Sequence, residues 1–118
     1  MTNQFPSSLW HVKREHDQRG EAYMAAYVIA EVTITDPQGF ESYRQMVPAT
    51  VAKYGGKFVV RGGSVDKLEG NWEPKRLVII EFESAERAKQ WWASEDYREA
   101  KELRQRTAQT NLIVIEGT

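Results

Sequence analysis

The stretch Tyr27-Val28-Ile29-Ala30-Glu31-Val32-Thr33-Ile34-Thr35-Asp36-Pro37 decides the fold. Tyr27 to Thr35 is rich in β-branched side chains, which suit a pleated, packed surface, and predicts a strand. Asp36-Pro37 predicts a helix start. The aspartate side chain accepts from the free amides of a first turn, and proline is tolerated at the first helical position because no N–H is needed there. A strand running directly into a capped helix opens a β-α-β unit, and the residues downstream complete it.

Phe40, Tyr43, Val47, Val51 and Tyr54 recur at helical intervals and give that helix one apolar face. Pro48 lies within it, cannot donate an amide to Arg44, and predicts a kink. Gly55-Gly56 ends the helix by allowing a left-handed cap. Lys57 to Arg61 reads as the second strand, broken by Gly62-Gly63 before Ser64 to Glu69. Gly70-Asn71-Trp72-Glu73-Pro74 reads as a loop. Arg76 to Glu83 is the third main strand. Ser84 then caps a helix with the stripe Ala85, Ala88, Trp91 and Trp92. Ser94 interrupts that helix and caps another, with Glu95 and Asp96 in its first turn and Tyr97, Ala100 and Leu103 buried. Asn111 to Glu116 is the last strand. The predicted order is β-α-β-β-α-β with a split second helix, an α+β fold of the ferredoxin-like type.

Residues 1–23 differ from this body. They are polar and mixed in charge, and Met24-Ala25-Ala26 leads straight into the first strand. Two readings stand: an extension upstream of a domain spanning 24–118, or a short helix from about Ser8 to Gln18 docked by Leu9, Trp10 and Val12. His11 and His16 are five apart, do not share a helical face, and read as surface residues rather than metal ligands.

Composition excludes several chemistries. The chain has 118 residues, the size of one domain, and 41% of them are hydrophobic, enough for a core without cross-links. Sixteen basic against seventeen acidic residues leave a net charge of -1, with no cationic surplus for nucleic acid. Cysteine is absent, so disulfides, thiolate metal sites and cysteine nucleophiles are excluded. No run approaches the ~20 apolar residues of a membrane span, and the N-terminus lacks the features of a secretory signal. The expectation is a cytoplasmic protein.

Strand alternation sorts the side chains into two faces. One face takes Val28, Ala30, Val32, Ile34, Phe58, Val60, Val78, Ile80, Phe82, Ile113 and Ile115, and should receive the helices. The other takes Ile29, Val59, Ile79 and Val114, apolar residues that a solvated sheet face would not carry. A second copy of the sheet is the expected cover, which predicts a homodimer. Glu31, Arg61 and Glu81 share this second face by the same parity. They read either as a polar network fixing how subunits meet or as a general base beside an acid.

Tyr54-Gly55-Gly56-Lys57-Phe58, Arg61-Gly62-Gly63, Leu68-Glu69-Gly70-Asn71-Trp72, Leu77-Val78-Ile79-Ile80-Glu81-Phe82, Ser94-Glu95-Asp96-Tyr97 and Glu116-Gly117 follow one another in order. Over residues 25–117 the chain resembles the family called "domain of unknown function 1330", of the dimeric α+β barrel group. The resemblance implies subunits packed sheet to sheet and assigns no activity. Members of that wider group include haem enzymes, cofactor-independent oxygenases, isomerases and binding modules. The body here has neither His nor Cys as an axial haem ligand, and a zinc or non-haem iron site would have carboxylates alone. Ser64 and Ser84 have no histidine partner for a triad, and Arg61-Gly62-Gly63-Ser64 lacks the spacing and lysine of a phosphate loop. No metal and no cofactor is expected.

Arg61, Trp72, Glu81 and Tyr43 are the candidate ligand-binding residues, with Arg76 as a further carboxylate recogniser. Glu81, Arg61 and Glu31 are the catalytic candidates: Glu81 would move a proton while Arg61 stabilises developing negative charge. Tyr43, Trp72, Trp91, Trp92 and Tyr97 are enough aromatic surface to line a flat pocket, although one of the paired tryptophans at least belongs to the core. Two function classes remain open. One is a module binding a small organic acid or aromatic metabolite; the other is a cofactor-independent oxygenase or isomerase using carboxylate and arginine chemistry. Fold analogy does not choose between them.

Overall fold

The computed structural model describes residues 24–118, and the expectations for 1–23 lie outside them. The described residues form β1 (Ala26–Ile34), α1 (Pro37–Lys53), β2 (Lys57–Arg61), β3 (Leu77–Phe82), α2 (Ala85–Ala93), α3 (Glu95–Thr107) and β4 (Ala108–Glu116). The strands make one antiparallel sheet in the order β2-β3-β1-β4. This is the ferredoxin-like α+β arrangement, with its second helix in two pieces.

Each helix begins where a side chain satisfies its first amides. Asp36 accepts from the Gly39 amide at 3.2 Å, Ser84 from that of Arg87 at 3.0 Å, and Ser94 from that of Tyr97 at 3.1 Å. Helix α1 runs through Pro48 to Lys53. Beyond it, Gly55 takes φ 77°, a left-handed conformation that costs glycine little. The residues from Gly62 to Arg76 form no further strand.

The core lies between one sheet face and the helices. Val28, Ile80 and Phe82 pack there with Val47, Val51, Ala88, Trp91, Tyr97 and Ala100. Trp91 stacks on Tyr97 with ring centroids 4.1 Å apart, and its Nε1 donates to Thr50 Oγ1 at 3.0 Å. Trp92 is 41% exposed and lies under Lys101, whose Nζ is 3.7 Å from the ring centroid. In α3 the fully buried position expected for Leu103 belongs to Arg104.

Two strands depart from simple alternation. Across β1, Val28 pairs with Val114 and Ala30 with Leu112, so Leu112 and Val114 pack toward the core. Ile113 and Ile115 face outward and are 56% and 50% exposed, which reverses the expected parity of β4. On β2, Phe58 pairs with Ile80 but Val60 with Ile79: Val59 and Val60 share the space of one residue in a bulge. The bulge inverts the alternation beyond it, so Val60 turns outward and Arg61, paired with Val78, turns toward the helices. The outward face therefore carries Ile29, Ile79, Val59, Val60, Ile113 and Ile115, and Val114 is not part of it.

Candidate functional site

Arg61 lies on the opposite side of the sheet from Glu31 and Glu81. Its Nη2 donates to the backbone oxygen of Arg44 at 2.9 Å, and its guanidinium sits 4.4 Å above the Phe58 ring. The Arg44 carbonyl is available because the residue four positions on is Pro48, which has no N–H to complete the helical hydrogen bond. Sequence alone shows this missing bond; the structure shows that Arg61 replaces it.

Arg61 and Tyr43 thereby line one cavity, about 30 Å³ in volume, between the sheet and α1. Val28, Ala30, Phe40 and Val47 supply apolar wall, and Arg44, Arg76 and Arg104 join Arg61 around it. Arg76 leads into β3, where its backbone oxygen accepts from the Val32 amide at 2.9 Å, and its guanidinium lies 5.8 Å from the Phe40 ring centroid. Gly62, at φ 78°, makes room for it, since a Cβ there would collide with the Arg76 guanidinium. Burial, then the neighbouring charges of Arg44 and Arg61, hold the Arg76 pKa below its usual value. Nε of Arg44 and Nε of Arg76 are buried without a hydrogen-bond partner.

At the inner end, Tyr43 and Tyr97 join their hydroxyls at 3.0 Å, and Arg104 Nε donates to the Tyr97 hydroxyl at 3.2 Å. Burial raises the Tyr43 pKa well above the ordinary phenol value, reinforced by Tyr97 and opposed by Arg104. Tyr43 is thus a neutral phenol that can donate or accept, not a base. Among the described residues no group of three Asp, Glu, His or Cys side chains is placed to hold a metal ion.

The other candidates stand elsewhere. On the outward face, Trp72 Nε1 donates to Glu31 Oε2 at 3.1 Å, and Asn111 Nδ2 donates to Glu31 Oε1 at 3.4 Å. Glu81 pairs with Tyr27 on β1 and Lys57 on β2, whereas Glu31 pairs with Leu77, which sets the two residues four positions apart along the strands, a backbone separation of about 13 Å. The structure thus brings Arg61 to Tyr43 and Trp72 to Glu31, and leaves Glu81 apart from both. The expected cluster of Arg61 with Glu31 and Glu81 fails because the β2 bulge turns the arginine through the sheet. Arg44 and Arg104 were not among the expected residues, yet both had a signal. Each sits on the apolar interval of its helix, Phe40-Arg44-Val47-Val51 and Tyr97-Ala100-Arg104, where a charged side chain is out of place.

Among solved structures the fold is similar to RPA0582, a protein of unknown function from Rhodopseudomonas palustris, with a TM-score of 0.66 and 17% identity over 96% of this chain and 95% of that one. It is also similar to SnoaB, a cofactor-independent oxygenase from Streptomyces nogalater, with a TM-score of 0.52 and 14% identity over 80% of this chain and 92% of that one. At these identities the likeness is one of fold. No curated protein matches the chain. The DUF1330 family model matches residues 25–118, covering every strand and helix described above, and the chain belongs to that family, whose description is "Domain of unknown function".

Proposed function

We propose that the protein binds a small organic acid in the cavity between the sheet and α1, with Arg61 and Tyr43 among the residues that hold it. The observation that carries this reading is the convergence of Arg44, Arg61, Arg76 and Arg104 on one largely apolar cavity. Guanidiniums read carboxylates through paired N–H donors, and partial burial strengthens the contact. The cavity is small, about 30 Å³, which favours a short aliphatic acid over an aromatic metabolite. Binding is favoured over proton-transfer catalysis, because Glu81 and Glu31 lie across the sheet from Arg61 and cannot share a substrate with it.

The same reading includes a homodimer formed through the outward sheet face. Val59, Val60, Ile113 and Ile115 are exposed there beside the half-buried Ile29 and Ile79, an apolar continuity that a second sheet would cover.

The test is calorimetric titration of the full chain with butyrate and with butyramide, which differ in the charged head. Butyrate should bind and butyramide should not, and Arg61→Gln should abolish the difference. Equal binding of acid and amide, or an Arg61→Gln variant with undiminished acid binding, refutes the assignment.

A further inference from the structure

The guanidinium cluster has more positive charge than a simple acid can match. Arg44 Nη1 meets Glu41 Oε1 at 3.2 Å on an exposed rim, and among the described residues this is the only ion pair made by Arg44, Arg61, Arg76 or Arg104. Arg104 is 5% exposed, with its Nε on the Tyr97 hydroxyl. Packing over the Phe58 and Phe40 rings accounts for the position of two guanidiniums, but not for the in-plane Nε donors of Arg44 and Arg76. Those face no acceptor, a costly state for buried donor atoms.

We infer that the ligand carries a compact dianionic head, a short dicarboxylate or a phosphate, seated among Arg44, Arg61 and Arg76. This rests on the acid-binding reading above and narrows it. A single carboxylate has one charge and about four lone-pair sites on its two oxygens. Arg44 on α1, Arg61 on β2 and Arg76 just before β3 together offer more N–H donors than those sites can take, and a dianionic head with three or four oxygens meets more of them. Arg61 is held to α1 by its bond to the Arg44 carbonyl, so its guanidinium is placed before the ligand arrives. The small apolar cavity behind them limits the carbon portion to a short chain.

The experiment compares malonate, succinate, inorganic phosphate and butyrate on the full chain at matched ionic strength, by calorimetry and by melting temperature. At least one dianion should bind about tenfold or more tighter than butyrate, since it engages a second guanidinium. An advantage confined to phosphate identifies a tetrahedral head; one confined to malonate or succinate identifies a dicarboxylate. Arg44→Gln and Arg76→Gln should each reduce the dianion to the level of butyrate. Without ligand, Arg76→Gln should melt no lower than the unaltered chain, because it relieves repulsion among like charges. Butyrate binding as tightly as every dianion overturns this inference and leaves the acid-binding reading standing. A dianion advantage that survives both substitutions also overturns it, as does a lower ligand-free melting temperature for Arg76→Gln. Failure of all four anions to bind overturns the acid-binding reading itself.

Discussion

Arg61 Nη2 donates to the Arg44 backbone oxygen at 2.9 Å, taking the place of the amide that Pro48 lacks. A helix-interior proline, ordinarily a local fault, here leaves a carbonyl that ties the end of β2 to α1 and sets the direction of an arginine at the cavity.

Pro48→Ala should therefore have two opposite effects. The restored amide completes the helical bond to Arg44, and the melting midpoint should rise by the equivalent of about 1 kcal/mol, the helix gain being partly offset by a freer unfolded chain. Arg61 loses its exclusive acceptor, so acid affinity should fall. Paired melting and calorimetric titration check both, and a variant with higher stability and undiminished affinity would show that Pro48 does not position Arg61.

Ile113→Lys places a charge on the outward sheet face at a residue already 56% exposed in the single chain. The expected outcome is a dimer for the unaltered chain and a monomer of unchanged circular dichroism for the variant, by light scattering at micromolar concentration. Charge on a surface buried by assembly is opposed by its desolvation cost.

The adjacent tryptophans should separate cleanly. Trp91→Ala removes a buried ring stacked on Tyr97 and hydrogen-bonded to Thr50, and should cost about 3–5 kcal/mol in denaturant unfolding. Trp92→Ala removes an exposed ring with one cation above it, and should cost less than about 1 kcal/mol.

Asp96 links α3 to the end of α1, accepting from Lys53 Nζ and from the Tyr54 hydroxyl, each at 2.8 Å. The hydrogen bonds from Lys53 and Tyr54 hold its carboxyl below the usual aspartate range, and Lys53 is raised in turn. Because the folded carboxyl has the lower pKa, its contribution is present above the unfolded value of about 3.9 and is lost as pH falls through the folded one. Asp96→Asn should thus melt slightly below the unaltered chain at neutral pH. Melts in strong acid should show the difference gone.

A chain beginning at Met24 should retain a cooperative melt. The sheet and helices between Ala26 and Glu116 supply the complete described core, from Val28 on β1 to Ala100 on α3. Insolubility or loss of cooperativity in that shortened chain would assign residues 1–23 a structural role.

What was legible in the residues was local. Asp36-Pro37, Ser84 and Ser94 each start a helix because a side-chain acceptor beside free amides acts within one turn and needs no distant partner. The β-α-β-β-α-β order follows from such signals, as does the orphaned carbonyl at Arg44. Arg61, Arg76 and Tyr43 were identifiable as ligand-recognising residue types, although Arg44 and Arg104 showed only as misplaced charges on apolar helical stripes.

Which way strands present their residues was decided by the tertiary structure. Leu112, Ile113, Val114 and Ile115 are all apolar, so either parity of β4 satisfies the alternation, and only pairing with β1 places Val114 inward. On β2, Val59 and Val60 are equally ambiguous, and the bulge between Phe58 and Val60 exists only as a relation to Ile79 and Ile80 on the neighbouring strand. That one extra residue moves Arg61 from the side of Glu31 and Glu81 to the side of Tyr43, Arg44 and Arg76. The candidate site depends on this step because side chains alternate with a period of two, and a shift of one residue exchanges the faces of everything beyond it.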